Sequence, residues 1–231
     1  KTILLDVGEK LAVEKKEAWQ EKVITSNAKR SLIPYLKSRG VAKIDQLVLT
    51  TSQPKQLDHL LEISKSFNLG EILVTEETLS KREFMDKLKE SNLKVRPIKT
   101  GEQLFIFGSS LEVIENQNSD SKASIVMYGK LLNQTFLVTG NIEEKFLNKS
   151  YPKIQADVVL THQQASKKKT DVKVFEIFQP KITVISVDKK KKFKEKNGEN
   201  NQELGNSIYK TDQKGAIRFK GWSAWQIETV R

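Results

Sequence analysis

The sequence contains no cysteine, so it can form neither disulfide bonds nor metal sites built on thiolates. Histidine is almost as scarce, because His59 and His162 are the only two imidazoles among 231 residues. No apolar run approaches the roughly 18 residues that a membrane-spanning helix needs, and no signal peptide precedes the first apolar segment. The chain opens directly on that segment, and we therefore expect it to be a piece cut from a longer polypeptide.

Acidic residues are in deficit. Lys and Arg number 40 against 29 Asp and Glu, which leaves a net charge of +11. A positive field of this kind attracts anionic polymers or anionic lipid surfaces. With 37% of its residues hydrophobic and 7% aromatic, the chain can bury one core, either as a single α/β domain or as two closely joined halves. Composition therefore limits the class of partner and leaves the chemistry open.

Short runs rich in Val, Ile and Leu predict buried strands. They cover residues 46–50, 71–75, 157–161 and 181–187. Amphipathic segments that alternate with these runs predict helices that cover a sheet. The first predicted helix begins near Ser31, ends at Gly40 and presents Leu32, Tyr35 and Leu36 on one face. The second is predicted to be capped by Thr78 and to carry Leu79, Phe84, Met85 and Leu88.

A further group of segments follows in sequence with only turns between them, as consecutive antiparallel strands do. From Ile142 onwards the pattern predicts a second group of elements that includes helices, and this group ends in the last strands. Residues 188–203 are dominated by Lys, Asn, Glu and Gln and predict a surface loop. Two sheets with helices outside are the natural architecture for this order. The antiparallel group is 93–98, 103–107, 111–114, 123–128 and 134–138, and the last strands are 207–210, 216–219 and 222–229.

Several predicted strand ends carry short motifs in a fixed order. They read Leu-Asp-Val-Gly at 5–8, Leu-Thr-Thr at 49–51, Val-Thr-Gly-Asn at 138–141, Leu-Thr-His at 160–162 and Thr-Asp-x-x-Gly-Ala-Ile at 211–217. In order and spacing, the chain resembles proteins of the metallo-β-lactamase fold. The last motif is similar to that of one group in particular, the C-terminal β-lactamase-like domain of the ComEC family. The membrane part of these competence proteins forms the channel for transforming DNA.

The resemblance runs from Lys1 to about Phe219, although the family's first strand is missing. It implies an α/β (α+β) fold, the four-layer αββα sandwich of the metallo-β-lactamase fold, with residues 1–231 as a single domain. It also implies that this domain is the C-terminal segment of a longer cell-membrane protein and lies on the extracellular face.

Active members of the fold hold two cations with a Thr-His-x-(His/Asp)-x-Asp-His loop, because the cations need several nitrogens and carboxylates from one rigid turn. Aligned on that loop, the chain has a Thr, two Gln and a Lys at the ligand positions, and the ammonium of Lys55 would repel metal ions. Asn141 replaces the bridging Asp and lacks its charge. We therefore predict no bound metal, no other cofactor and no catalytic residue. The degenerate metal-site positions are Thr51, Gln53, Lys55, Gln56, Asn141 and His162.

Two alternatives stay open for the remaining polar residues. If the alignment with the family's loop is shifted by three residues, Asp58 and His59 fall at ligand positions. Together with Asn141 and His162 they would form the rebuilt site of a metal-dependent nuclease. An Asp-His pair is, however, common at helix starts. Asp6 belongs to a turn that supports the metal loop in the family, so its expected duty is architectural. Under a third interpretation the domain is a structural scaffold that makes no contact with DNA.

Two lysine-rich segments are the candidate DNA-binding surface. One follows His162 and the other follows the strand predicted at 181–187, so both leave the sheet where strand ends place the family's site. A solvated loop is the ordinary explanation of a charge run. The resemblance favours a catalytically degenerate domain that binds or guides incoming DNA, single-stranded or duplex and without sequence preference. Its further expected partners are the membrane channel part of the same polypeptide and other competence proteins. The candidate residues are Lys167, Lys168, Lys169, Lys189, Lys190, Lys191, Lys192 and Lys194.

Overall fold

The structure, a computed structural model, describes residues 1–7, 26, 28–50, 55–89, 91–117, 124–131, 133–140, 154–162, 178–187, 207–221 and 225–230. The chain divides into two compact units. Lys1–Lys99 and Gln117–Ala123 make up the first, here called the four-stranded unit. Thr100–Asn116 and Ser124–Arg231 make up the second, the seven-stranded unit. The prediction of a single domain over residues 1–231 stays a prediction.

The four-stranded unit is built on a parallel sheet. Its strands are β1 (Ile3–Leu5), β2 (Lys43–Val48), β3 (Asn68–Val74) and β4 (Val95–Pro97), and they lie side by side in that order. Parallel neighbours need crossover connections, and helices are found in all three of them. A π-helical turn (Ala28–Leu32) leads into α1 (Ile33–Ser38) before β2, α2 (Lys55–Ser64) precedes β3, and α3 (Glu76–Ser80) and α4 (Arg82–Lys89) precede β4.

The core of this unit is formed by alternate strand residues and one face of each helix. Leu47 and Ile72 of the sheet are completely buried, and they belong to the same apolar cluster as three side chains of α2. Leu57, Leu60 and Ile63 of that helix recur at helical spacing, so they form a continuous apolar stripe. Burial of this stripe fixes α2, and with it the residues at its start.

The predicted cap at Thr78 is wrong, because Thr75 has that role. Thr75 follows β3 directly in extended backbone conformation (φ −72°, ψ 155°), and its hydroxyl accepts the N–H of Thr78 at 3.1 Å. Thr78 lies inside α3. The helix ends at Lys81, whose backbone is extended (φ −75°, ψ 114°), so α3 and α4 are separate helices.

The prediction that Tyr35 shares one helical face with Leu32 and Leu36 against the sheet is also wrong. Its side chain is 48% exposed, whereas its neighbour Leu36 is buried. The cause is the shortness of α1, whose buried stripe consists of Ile33 and Leu36 at i and i+3. The predicted end of this helix is confirmed, because Gly40 follows it with a positive φ of 69°.

The seven-stranded unit contains β5 (Gln103–Ile106), β6 (Ser109–Gln117), β7 (Ser124–Leu131), β8 (Gln134–Val138), β9 (Val158–His162), β10 (Ile182–Ser186) and β11 (Ser207–Lys210). The order across the sheet is β11-β10-β9-β8-β7-β6-β5. The pairs β5/β6 and β7/β8 are antiparallel, and β8 to β11 are parallel. Helix α5 (Thr211–Lys214) and an antiparallel hairpin, β12 (Ala216–Lys220) and β13 (Gln226–Val230), follow β11.

The parallel strands give this sheet two distinct edges. The carboxyl edge, where β8 to β11 end, carries Thr139, His162, Val187 and Thr211. The amino edge is the opposite end, where these strands begin. Asp157 ties three strand starts together there, since it accepts from the N–H and hydroxyl of Thr135 (2.9 and 2.8 Å) and from Lys181 Nζ (2.7 Å).

The predicted strand at 93–98 has the wrong partner. It becomes β4, which pairs in parallel with β3 through Ile72 and Val95, and not with β5. The intervening helices α3 and α4 provide the crossover that a parallel neighbour requires. The other predicted strands are confirmed with small shifts at their ends. The second helix-containing set and the surface loop at 188–203 fall mainly in 141–153, 163–177 and 188–206, which lie outside the described residues.

Among the helices of the described ranges, none has the length and apolarity needed to cross a membrane.

Candidate functional site

In the four-stranded unit, the candidate functional residues lie where β1 and β2 end. Asp6 has a positive φ of 59°, and its N–H donates to the carbonyl of Val48 at 2.8 Å. Its carboxylate accepts the N–H of Thr50 at 2.8 Å and also the hydroxyl of the same residue. Three hydrogen bonds thus join the ends of the two strands, and the expected architectural role of Asp6 is confirmed. The carboxylate holds in place the point at which residues 51–54 begin.

Gln56 adds a contact from helix α2. Its side chain is buried, with 4% of the residue exposed, and Nε2 donates to Asp6 Oδ1 at 3.3 Å. The resemblance puts this position where the last His ligand of the metal loop stands in the family. The amide of Gln56 therefore forms a hydrogen bond with the Asp6 carboxylate where the family has a metal ligand. Its Oε1 is buried and has no hydrogen-bond partner among the described residues.

Asp58 and His59, the residues proposed for a rebuilt site, have different partners. His59 is completely buried, and its Nδ1 lies 3.2 Å from the carbonyl oxygen of Val7, so this nitrogen donates. The carboxylate of Asp58 pairs with Lys87 of α4 at 3.0 Å. This carboxylate raises the pKa of Lys87, chiefly through the hydrogen bond between them. Both side chains are therefore explained by packing of α2 within the four-stranded unit.

In the seven-stranded unit, the candidate functional residues lie on the carboxyl edge of the sheet. Thr139 is buried, and its N–H donates to the carbonyl of Leu160 at 3.0 Å, so β8 and β9 end together. His162 pairs in register with Ser186, and the N–H of Val187 donates to the hydroxyl of Thr211 at 2.9 Å. Four parallel strand ends therefore meet at one edge, and Asn141 and the lysine-rich segments follow three of them in the sequence.

The described ranges contain only part of the predicted site. Gln56 is fully placed, whereas only the backbone positions of Lys55, the first residue of α2, and of His162, the last residue of β9, are described. The rest lie outside the described residues: Thr51, Gln53, Asn141, Lys167, Lys168, Lys169, Lys189, Lys190, Lys191, Lys192 and Lys194.

The residues present do not fit a two-metal centre. In the part of the chain that the structure describes, no three His, Asp or Glu side chains are grouped closely enough to hold a metal ion. At the aligned loop positions the sequence provides two amides, a hydroxyl and an ammonium, which are weak or repulsive ligands for Zn²⁺ and Mn²⁺. Gln56, the placed member of this set, hydrogen-bonds with Asp6.

One feature escaped the sequence interpretation. Phe107 was assigned to a strand, but it lies in the tight turn between β5 and β6 and is 83% exposed. The signal that would have revealed it is the Phe107-Gly108 dipeptide between two strand patterns, where a two-residue hairpin turn is common.

Comparison with solved structures identifies the fold. Across 90% of this chain and 83% of the other, the structure resembles the metallo-β-lactamase fold protein YhfI from Bacillus subtilis, with a TM-score of 0.54 and 11% identity. The mixed sheets with helices agree with the predicted α/β (α+β) class. Together with this likeness, they show that the chain has the metallo-β-lactamase fold. No protein-family model matches the sequence.

Comparison with curated proteins finds a relative among the competence proteins. The chain is 23% identical to ComE operon protein 3 of Bacillus subtilis (strain 168) over 232 aligned residues, which cover 94% of this chain. It spans only 30% of that protein's length. The resemblance to the ComEC family of competence proteins is therefore confirmed over nearly the whole chain.

Proposed function

We propose that this chain is the DNA-binding, catalytically degenerate metallo-β-lactamase-like domain of a competence protein, and that it binds or guides incoming DNA without sequence preference. The observation that carries the proposal is the arrangement of the carboxyl edge. β9 and β10 are parallel neighbours, and His162 and Ser186 are paired at their ends. The segments that follow these two strands contain the lysine runs, so both runs are attached to one edge of one sheet.

Elementary electrostatics supports a polyanion as ligand. Lysines are point charges that pair with phosphates and release condensed counterions, and this interaction carries no base preference. Phe193 is the only aromatic residue within either run, so stacking on bases contributes little. The net charge of +11 acts in the same direction. Phosphate contact should therefore dominate, whether the DNA is single-stranded or duplex.

Location and further partners are part of the same proposal. The similarity to ComE operon protein 3 supports a domain attached to a competence membrane protein. We place the domain on the extracellular face, beside the membrane channel part of the same polypeptide, where other competence proteins are also available. A separate nuclease then degrades the strand that is not transported.

The nuclease alternative has less support. Its rebuilt site needs the Asp58 carboxylate and the His59 imidazole as ligands, but Lys87 pairs with the carboxylate, and among the described residues no three His, Asp or Glu side chains are grouped closely enough to hold a metal ion. The scaffold alternative differs from the proposal in one property only, affinity for DNA, and the following experiment decides between them.

The test measures the anisotropy of labelled single-stranded and duplex DNA titrated with wild type and with Lys167→Ala/Lys168→Ala/Lys169→Ala at several salt concentrations. Wild type should bind with a Kd of about 10⁻⁶ to 10⁻⁴ M, and on single strands the logarithm of the affinity should fall by about 0.7 per phosphate for each tenfold rise in salt. The triple variant should lose affinity and part of this slope. A matched control, Lys37→Ala/Lys65→Ala/Lys94→Ala, removes the same charge from exposed positions of the four-stranded unit.

The control should retain most of the wild-type affinity and slope. If both triple variants bind alike, net charge alone explains the binding and the carboxyl edge has no special part in it. If wild type does not bind DNA at low salt, the scaffold interpretation is correct.

A further inference from the structure

The turn between β5 and β6 carries an aromatic side chain in an unfavourable place. Phe107 and Gly108 have φ values of 38° and 75°, so both central residues of this two-residue turn are left-handed. Asn-Gly is the favoured pair for such a turn, whereas a bulky residue with positive φ is disfavoured. Phe107 is also 83% exposed. Neither the backbone conformation nor burial against the described residues explains a phenylalanine there, which makes the turn a candidate for contact with a partner.

The exposed apolar surface continues along the same end of the sheet. Phe105, two residues earlier, is 61% exposed and pairs with Ser110. Gly129 lies against Ser110 so closely that a Cβ on it would come within 2.0 Å of the Ser110 carbonyl oxygen, so no side chain fits there.

These groups lie towards the amino edge of the seven-stranded sheet. Only six residues, 118–123, separate the neighbouring strands β6 and β7, so these strands run antiparallel. The turn after β7 therefore lies at the same edge as Phe107. Exposed Lys130 is next to the end of β7, and Lys181, 76% exposed and bonded to Asp157, precedes β10 at this edge. Aromatic and basic side chains are thus combined at one edge.

We propose that the amino edge of this sheet docks on an anionic phospholipid bilayer, with Phe107 and Phe105 entering the headgroup region. Aromatic side chains favour this region, and lysines beside them gain from acidic lipids. Because the carboxyl edge is the opposite end of the same sheet, docking turns that edge, where β9 and β10 end, away from the bilayer. This inference goes beyond the proposed function and does not depend on DNA binding.

Charge and shape favour a bilayer over a second copy of the chain as the occupant. Two copies that each carry a net charge of +11 repel each other, whereas the exposed ammonium group of Lys130 at the docking edge is attracted to acidic lipids. A stable protein interface buries roughly 800 Å² on each partner. The few side chains at a narrow hairpin tip offer far less surface area than that. Insertion into a fluid headgroup layer needs no such complementary surface.

The test is co-sedimentation with vesicles of phosphatidylglycerol and phosphatidylethanolamine, compared with pure phosphatidylcholine vesicles. The key variant is Phe107→Asn, which creates the favoured Asn-Gly turn and should keep or raise the melting temperature. It should bind the acidic vesicles about tenfold more weakly than wild type, because the largest inserted apolar surface is gone. Tyr35→Ser, which removes an exposed aromatic from the four-stranded unit, is the matched control and should bind as wild type does.

Retention of DNA by Phe107→Asn should equal that of wild type, which separates this proposal from the previous one. Equal vesicle binding by Phe107→Asn and wild type would overturn the proposal, as would equal binding of wild type to acidic and to phosphatidylcholine vesicles. A wild-type dimer in sedimentation equilibrium that Phe107→Asn dissociates, without vesicle binding by either protein, would show that the occupant is a second copy.

Discussion

At the scale of single residues, Asp6 shows how a carboxylate can remain useful in a site whose neighbouring ligand positions have changed. It bonds with Thr50 and Gln56 and also adopts a positive φ of 59°. Asp and Asn tolerate this conformation better than other residues that carry a Cβ. Geometry and hydrogen bonding therefore both select the residue type, and neither requires a metal ion.

Substitutions at Asp6 should separate these two contributions. Asp6→Asn keeps the backbone preference and one acceptor oxygen, and should cost about 1 kcal/mol of unfolding free energy. Asp6→Gly keeps the conformation but loses every acceptor, at about 2 kcal/mol, and Asp6→Ala adds backbone strain for a total of about 3 kcal/mol. Urea unfolding measures the series, with Asp86→Asn at an exposed position of α4 as a near-neutral control. Equal losses in all three variants would contradict this assignment.

Residue types in the metal loop could be interpreted from the sequence, but their orientation could not. Thr, Gln and Lys at ligand positions identify a chemical change whatever the surrounding geometry. In contrast, the bond between Gln56 and Asp6 depends on how α2 is placed against the end of β1, which is a tertiary contact between residues 50 positions apart.

At the scale of elements, Asp157 holds together the amino ends of β8, β9 and β10. Burial would raise the pKa of this carboxyl, but hydrogen bonds from Lys181 and from the N–H and hydroxyl of Thr135 outweigh it and lower the pKa to about 2. The folded state therefore favours the carboxylate. Because the ordinary value is 3.8, the resulting stabilisation is complete above about pH 4 and is lost as the pH falls towards 2.

Asp157→Asn should remove this pH-dependent stabilisation. At pH 7 the variant should be less stable than wild type by about 1 to 2 kcal/mol, a value reduced for the solvent that reaches Lys181. The difference should shrink between pH 4 and pH 2, because wild type loses the carboxylate there. Urea unfolding at pH 7, 4 and 3 checks the trend. A difference that stays constant over this range would show that the carboxylate charge does not stabilise the strand ends.

Elements with long apolar runs could be predicted, whereas those that depend on their partners could not. β2, β3, β9 and β10 are buried strands, and their Val, Ile and Leu content identified them. The partner of β4 was missed because pairing depends on the crossover formed by α3 and α4. These helices were themselves misjudged, since Thr75 and Thr78 are both acceptable caps by sequence and only the position of β3 decides between them.

At the scale of the whole molecule, the order of strand-end motifs was sufficient to predict the fold class. The motifs lie at the ends of β1, β2, β8, β9 and β11, where parallel strands put side chains at one edge of each sheet. Charge could also be derived from composition. The exposure of Phe105 could not, because an apolar residue in a strand pattern is ordinarily buried and only the fold shows that β5 is an edge strand.

The chain has kept the architecture of its fold, and we propose that its ligand positions have lost the capacity to hold metal ions. The direct measurement is the metal content of the purified chain after incubation with excess Zn²⁺ or Mn²⁺ and dialysis into metal-free buffer. We predict less than about one ion per ten chains, and a melting temperature that chelators leave unchanged, because no metal-binding energy is coupled to folding. About one or two ions held per chain through dialysis, with a fall in melting temperature on chelation, would contradict the claim.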